Sequence, residues 1–139
     1  MDILCRRKQV PYTYKIDTDQ DIVHLRAEGT ITDSESVSVS RAIASDPQCH
    51  PGIRVFSDYS GVTRNDLSAV SMRLVTDILK PSSTARHGVL VRRLTDFGVV
   101  RMYQAFCDMH EKNFPCPFYS REEVLAYLNH GVSSGKVIV

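Results

Sequence analysis

Residues Arg54–Ser71 read RVFSDYSGVTRNDLSAVS. The stretch opens as a near-continuous apolar run, which suits a strand covered on both faces of a sheet. Its character changes at Asp58-Tyr59-Ser60-Gly61, where turn-forming residues gather and a turn is expected. Helical spacing follows. Leu67, Val70, Leu74 and Ile78 recur three and four apart, which predicts one apolar stripe on a helix from about Asp66 to Leu79, stopped by Pro81. A buried strand leading into a helix is the repeating unit of a parallel sheet, so the fold turns on whether the flanking segments repeat it.

Working outward, they do. Downstream, HGVLVRR is a second buried-type strand, and Thr95 or Asp96 caps a helix expected from about Phe97 to Glu111. Phe97, Val100, Tyr103, Phe106 and Cys107 give that helix a wide apolar face. CPFYS is a short last strand, and Ser120-x-x-Glu123 is a capping box opening a final helix that carries Val124, Leu125 and Leu128. Upstream, YTYKID (Tyr12–Asp17) is rich in strand formers, and Asp17 to Asp21 is a polar turn. Ile22 to Ile31 then alternates, with Val23, Leu25 and Ala27 on one side and His24, Arg26 and Glu28 on the other. This reads as an antiparallel hairpin with one face toward a core. Thr32-x-x-Glu35 opens a helix from about Asp33 to Ser45, stopped by Pro47. The order ββαβαβαβα predicts an α/β fold with a mixed sheet of about five strands and four helices. A chain of 139 residues suits one domain, taken as residues 12–129, with an N-terminal extension over 1–11 and a C-terminal tail over 130–139.

A formal net charge of +1 makes no global electrostatic case for nucleic acid. No apolar run approaches the roughly 18 residues of a membrane span, so no integral membrane segment is expected. Cys5-Arg6-Arg7-Lys8 has no long apolar region behind it, which argues against a secretory signal and for the cytoplasm. Cys5, Cys49, Cys107 and Cys116 are then read as reduced thiols.

Catalytic chemistry finds little footing. There is no phosphate-binding G-x-x-x-x-G-K-[ST] and no G-x-S-x-G elbow. Cys107-x-x-His110 is one short ligand pair where a structural zinc site commonly wants two. No catalytic residue, metal ligand or cofactor is assigned. The binding candidates are clearer. Asp58 and Ser60 sit at the carboxyl end of the central strand, where ligands of open α/β sheets gather, although both are also ordinary turn formers. Asn65, Asp66 and Ser68 stand at a helix start, where capping alone explains their types. Arg92 and Arg93 follow the next strand on the same side and could receive a phosphate or carboxylate, or simply be solvated. Phe97, Met102, Tyr103 and Phe106 could line an apolar pocket, form a homodimer surface, or pack the core.

Several segments taken in order carry a family likeness. YKIDTDQDIVHLRAEGTIT, the DP that precedes PGIRVFSDYSGVT with its D-x-x-G-V stretch, FGVVRMYQAF and PFYSREEVLAYL span about Tyr12 to Leu128. Together they resemble the STAS domain of anti-sigma factor antagonists, and more closely the SpoIIAA-like family of small bacterial STAS/SEC14-type proteins. The resemblance implies a cytoplasmic, non-catalytic regulatory module that meets a protein partner through the Asp58–Ser68 loop and helix start. It implies, alternatively, a binder of a small amphipathic or lipid-like ligand in a SEC14-like apolar cleft. In the antagonists the regulatory serine lies in a D-S-S-G or D-S-T-G stretch. The matching residues are Asp66-Leu67-Ser68-Ala69, where Leu67 replaces the first hydroxyl residue and Ala69 the glycine. Ser68 is the phosphosite the resemblance implies. A phosphate at a helix start meets unpaired N–H groups and adds about −1.5 to −2 of charge.

Overall fold

A computed structural model describes residues 10–79, 86–108 and 115–130. Strand β1 (Tyr12–Asp17) pairs antiparallel with β2 (Ile22–Thr32), Tyr12 opposite Ala27 and Asp17 opposite Ile22. Asp17 closes the hairpin by accepting the Asp19 and Gln20 amides at 2.9 and 3.0 Å. Asp21 completes the turn at φ 63°, a left-handed position that aspartate tolerates.

Helix α1 (Asp33–Ser45) then leads to β3 (Arg54–Asp66), α2 (Ala69–Leu79), β4 (His87–Leu90), α3 (Leu94–Asp108), β5 (Pro115–Phe118) and α4 (Arg121–His130). The sheet runs β1-β2-β3-β4-β5, and every pair after the hairpin is parallel. The five strands and four helices expected from the pattern are all present. No described helix is long and apolar enough to cross a membrane.

Strand alternation divides the core into two sides. On one, Tyr12, Val23, Ala27, Ile31 and Val62 pack with Ile43 and Val39 of α1, and Val89 and Val91 pack with Val100 of α3. On the other, Phe56 and Ile22 meet Val124, Tyr127 and Leu128 of α4. Gly88 of β4 brings α4 close. A Cβ there would lie 2.7 Å from Val124 Cγ1, and Val124 is fully buried and branched at Cβ. Gly88→Ala should therefore overpack this side and cost about 1–3 kcal/mol. Urea unfolding checks it: a change within 0.5 kcal/mol would mean that α4 shifts freely on the sheet.

Two local expectations are corrected. The turn at Asp58–Gly61 is not a turn, because β3 runs straight through to Asp66. The turn-forming residues build bulges instead. Arg26 and Glu28 of β2 stand opposite Asp58 and Gly61, and Gly29 and Thr30 opposite Val62 and Arg64, so β3 carries an extra residue at each step. Asp58 Oδ1 accepts both the Ser60 amide, at 2.9 Å, and the Ser60 hydroxyl, at 2.6 Å, which satisfies the bulge locally.

The second correction concerns α2. It starts at Ala69, and its buried residues are Ser71, Met72 and Val75. Val70 and Leu74, expected in the apolar stripe, are 79% and 39% exposed. The helix begins later than the spacing suggested because Asp66 is still paired to Thr32 as strand and Ser68 is the cap. α3, by contrast, starts earlier than expected, at Leu94, so Asp96 lies in its first turn and not at its cap.

Candidate functional site

The residues singled out from sequence lie toward the carboxyl end of the parallel strands and fall into three groups. The first joins α1 to α2. Asp33, in the first turn of α1, accepts the Ser68 amide at 2.8 Å, the Ser68 hydroxyl at 2.7 Å and the Ser71 hydroxyl at 2.6 Å. The Ser68 oxygen in turn accepts the Ser71 amide at 3.3 Å, the N-cap bond of α2. Bonds from the Ser68 and Ser71 hydroxyls, then from the Ser68 amide, hold the Asp33 carboxyl below its ordinary range, so it is ionised at neutral pH. Ser68 is half-buried and Ser71 buried. Asp33 did not emerge from sequence reasoning. An acidic residue after an N-cap is commonplace, and nothing local ties it to a serine 35 positions away.

The second group fastens β3 to the start of α3. Asp96 is fully buried and accepts Arg93 Nε at 2.8 Å, Arg93 Nη2 at 3.0 Å and Asn65 Nδ2 at 3.0 Å. Arg93 Nη1 also reaches the Thr63 carbonyl at 2.5 Å, and Arg92 Nε the Ser60 carbonyl at 3.0 Å. Both arginines thus brace the distal half of β3. Asn65 Oδ1 accepts the Leu67 amide at 3.2 Å, a local turn that ends the strand. Asp66 is exposed and paired to Arg64.

The third group is Asp58 with Ser60, on the α4 side of the sheet. Arg121 Nη2 lies 3.7 Å from Asp58 Oδ2, beyond hydrogen-bond range.

The apolar residues divide too. Tyr103 lines an interior cavity between the sheet and α1, α2 and α3, together with Tyr12, Leu25, Tyr59, Val89 and Val100. Phe97 stacks on Tyr119, ring centroids 5.0 Å apart, and Met102 is 44% exposed. The Phe106 and Cys107 side chains, Cys5 and His110 lie outside the described residues. The cavity holds about 40 Å³, room for water-sized guests and not for a lipid chain. Its polar wall was missed from sequence. Ser57 Oγ lies 2.7 Å from His87 Nε2, and the Tyr12 and Tyr59 hydroxyls are 3.2 Å apart. Burial pulls the His87 pKa down to about 4 and drives that of Tyr59 well above its ordinary value.

No protein-family profile matches the sequence, and no curated protein matches it. Among solved structures, the chain is similar to the crystal structure of an uncharacterised protein of the DUF3478 family with a SpoIIAA-like fold, from Shewanella loihica PV-4. The two share 16% identity and superpose with a TM-score of 0.60 over 87% of this chain and 96% of the other. At that identity the likeness speaks for architecture alone. The chain has a SpoIIAA-like α/β fold.

Proposed function

We propose that the protein is a non-catalytic, cytoplasmic regulatory module whose state is set at Ser68 and whose protein partner docks on the neighbouring face of α2. The observation that carries this reading is the double duty of the Ser68 hydroxyl. It caps α2 and binds the ionised Asp33 of α1 in one contact. A phosphate on Ser68 would keep the favourable helix start but stand against the Asp33 carboxylate, so α1 and α2 would have to separate at that end. Val70 and Leu74 are exposed on α2 just beyond the switch and give a partner apolar surface to cover. Asp66 is exposed at the end of β3, two residues before the cap, whereas Asn65, Arg92 and Arg93 act as braces. The small interior cavity argues against the lipid-like ligand as the resident occupant of this conformation.

The experiment compares Ser68→Ala with Ser68→Glu and maps phosphate on the protein isolated from its own host. Loss of the cap should cost about 1 kcal/mol in the alanine variant. The glutamate variant should lose about 1 kcal/mol more through like-charge repulsion, with amide exchange accelerated at the starts of α1 and α2 and unchanged in β3 and β4. A glutamate variant as stable as the alanine variant, or the absence of phosphate on Ser68 in every growth state, would sink the proposal.

A further inference from the structure

On the α4 side, the helix covers β3, β4 and β5, and the outward residues of the hairpin stay open beside it. Thr13 and Lys15 of β1, His24 and Arg26 of β2, and Phe56 and Asp58 of β3 line a groove there of about 250 Å³, and Arg121 of α4 borders it. Sheet register sets the spacing. Lys15 stands opposite His24 and Thr13 opposite Arg26, while His24 and Arg26 are paired in turn with Phe56 and Asp58. The Arg121 guanidinium lies over the Phe56 ring, 4.8 Å from its centroid, and the His24 ring is 5.7 Å from the same centroid.

The geometry points to this groove as a binding site for an organic phosphate monoester with a planar body. Three permanent cations, Lys15, Arg26 and Arg121, face one carboxylate, Asp58. The whole chain has a formal net charge of only +1, so this concentration is not a by-product of a basic protein. Glu28 engages Arg26 from the rim at 2.8 Å, but those side chains are 62% (Arg26) and 55% (Glu28) exposed. Such a pair is weak and yields to a better partner. The surplus of positive charge suits a dianion better than a carboxylate. Asp58, directly opposite Arg26, would repel that dianion, which places the phosphate toward Lys15 at the hairpin edge, with the Arg26 guanidinium beside it to grip two oxygens at once. Phe56 is itself buried beneath Arg121, so the outer side of that guanidinium and the neighbouring His24 ring, tilted 31° to Phe56, are the surfaces offered to the planar part of the ligand.

Phenyl phosphate titrated into the ¹⁵N-labelled full-length chain at low salt tests this. Saturable shifts are expected at Lys15, His24, Arg26 and Arg121, with a dissociation constant on the order of 10⁻⁴–10⁻³ M for so open a groove. Lys15→Ala/Arg26→Ala removes two exposed side chains and leaves the fold intact, and it should weaken binding about tenfold. Benzoate should bind about fivefold more weakly than phenyl phosphate, and added salt should weaken both. The proposal is overturned if no saturation occurs, if the double variant binds equally well, or if benzoate matches phenyl phosphate. It is also overturned, in favour of a membrane surface, if vesicles carrying phosphoinositides retain the chain while phenyl phosphate does not bind.

Discussion

Replacing Asp96 by alanine is expected to remove about 3 kcal/mol of stability and to lower the melting temperature by on the order of 10 °C. Asp96 is fully buried and holds three hydrogen bonds, two of them to the Arg93 guanidinium. Bonds that involve a charged group are worth roughly twice neutral ones, and the partners left behind lose as well. Asn65 Nδ2 would lose its acceptor in a half-buried site. Arg93 is 30% exposed on its side chain and can turn partly to water, which keeps the loss below that of a fully buried pair. Asp96→Asn retains an acceptor oxygen of the same shape and should lose distinctly less. Urea unfolding of the two variants decides the matter. A loss under about 1 kcal/mol for the alanine variant would mean that the group behaves as an exposed ion pair and does not hold β3 to α3.

The same residue shows where sequence reading stops. Asp96 was expected as a helix cap, a role its residue type fits, yet its carboxylate binds Arg93, three residues before it, and Asn65, which the fold brings near from 31 positions away. The elements themselves were legible because each carries its own signal: alternation over Ile22 to Ile31, apolar runs in β3 and β4, capping patterns before α1 and α4. Asp58-Tyr59-Ser60-Gly61 was misread because aspartate, serine and glycine serve a bulge as readily as a turn. What separates the two is a partner strand, which no local window contains. On α2, spacing predicted a single stripe through Leu67, Val70, Leu74 and Ile78, whereas Ser71, Met72 and Val75 turn inward, with the Asp33 bonds to Ser68 and Ser71 fixing the start of the helix. Ser68 itself was found through its resemblance to a phosphosite. Asp33, which makes a charge there consequential, was not, because contacts between distant chain segments leave no local trace. His87 and Ser57 left one weak signal, a polar residue within each of two apolar strands.

Lowering the pH from 7 to 4 should cost the fold roughly 2–3 kcal/mol through His87 alone. Burial depresses its pKa from 6.5 to about 4. Below pH 6.5 the unfolded chain takes up a proton that the folded chain refuses until about pH 4. The unfolded state therefore binds more protons across that window, and stability falls as pH falls. The contribution is fully present above 6.5 and has gone once both states are protonated, below about 4. Asp33 and Asp46, both lowered by hydrogen bonds, act in the same direction but later, as pH drops below their ordinary 3.8. His50 acts oppositely. Its bond to Asp21 raises its pKa, so its contribution is present below 6.5 and lost as pH rises through the folded value, and its exposure keeps that contribution small. His87→Gln keeps an acceptor for the Ser57 hydroxyl and cannot titrate. Urea midpoints between pH 7.5 and 4 should fall steeply for the natural chain and stay nearly level for this variant. Parallel curves would show that the acid loss lies elsewhere. Ring ¹⁵N shifts give a direct reading, with His87 neutral at pH 5 while an exposed histidine is charged. Because His87 borders the cavity beneath α2 and α3, its protonation as the pH nears 4 should loosen those helices before the α4 side, so amide exchange near pH 4, corrected for its intrinsic rate, should rise first in α2 and α3.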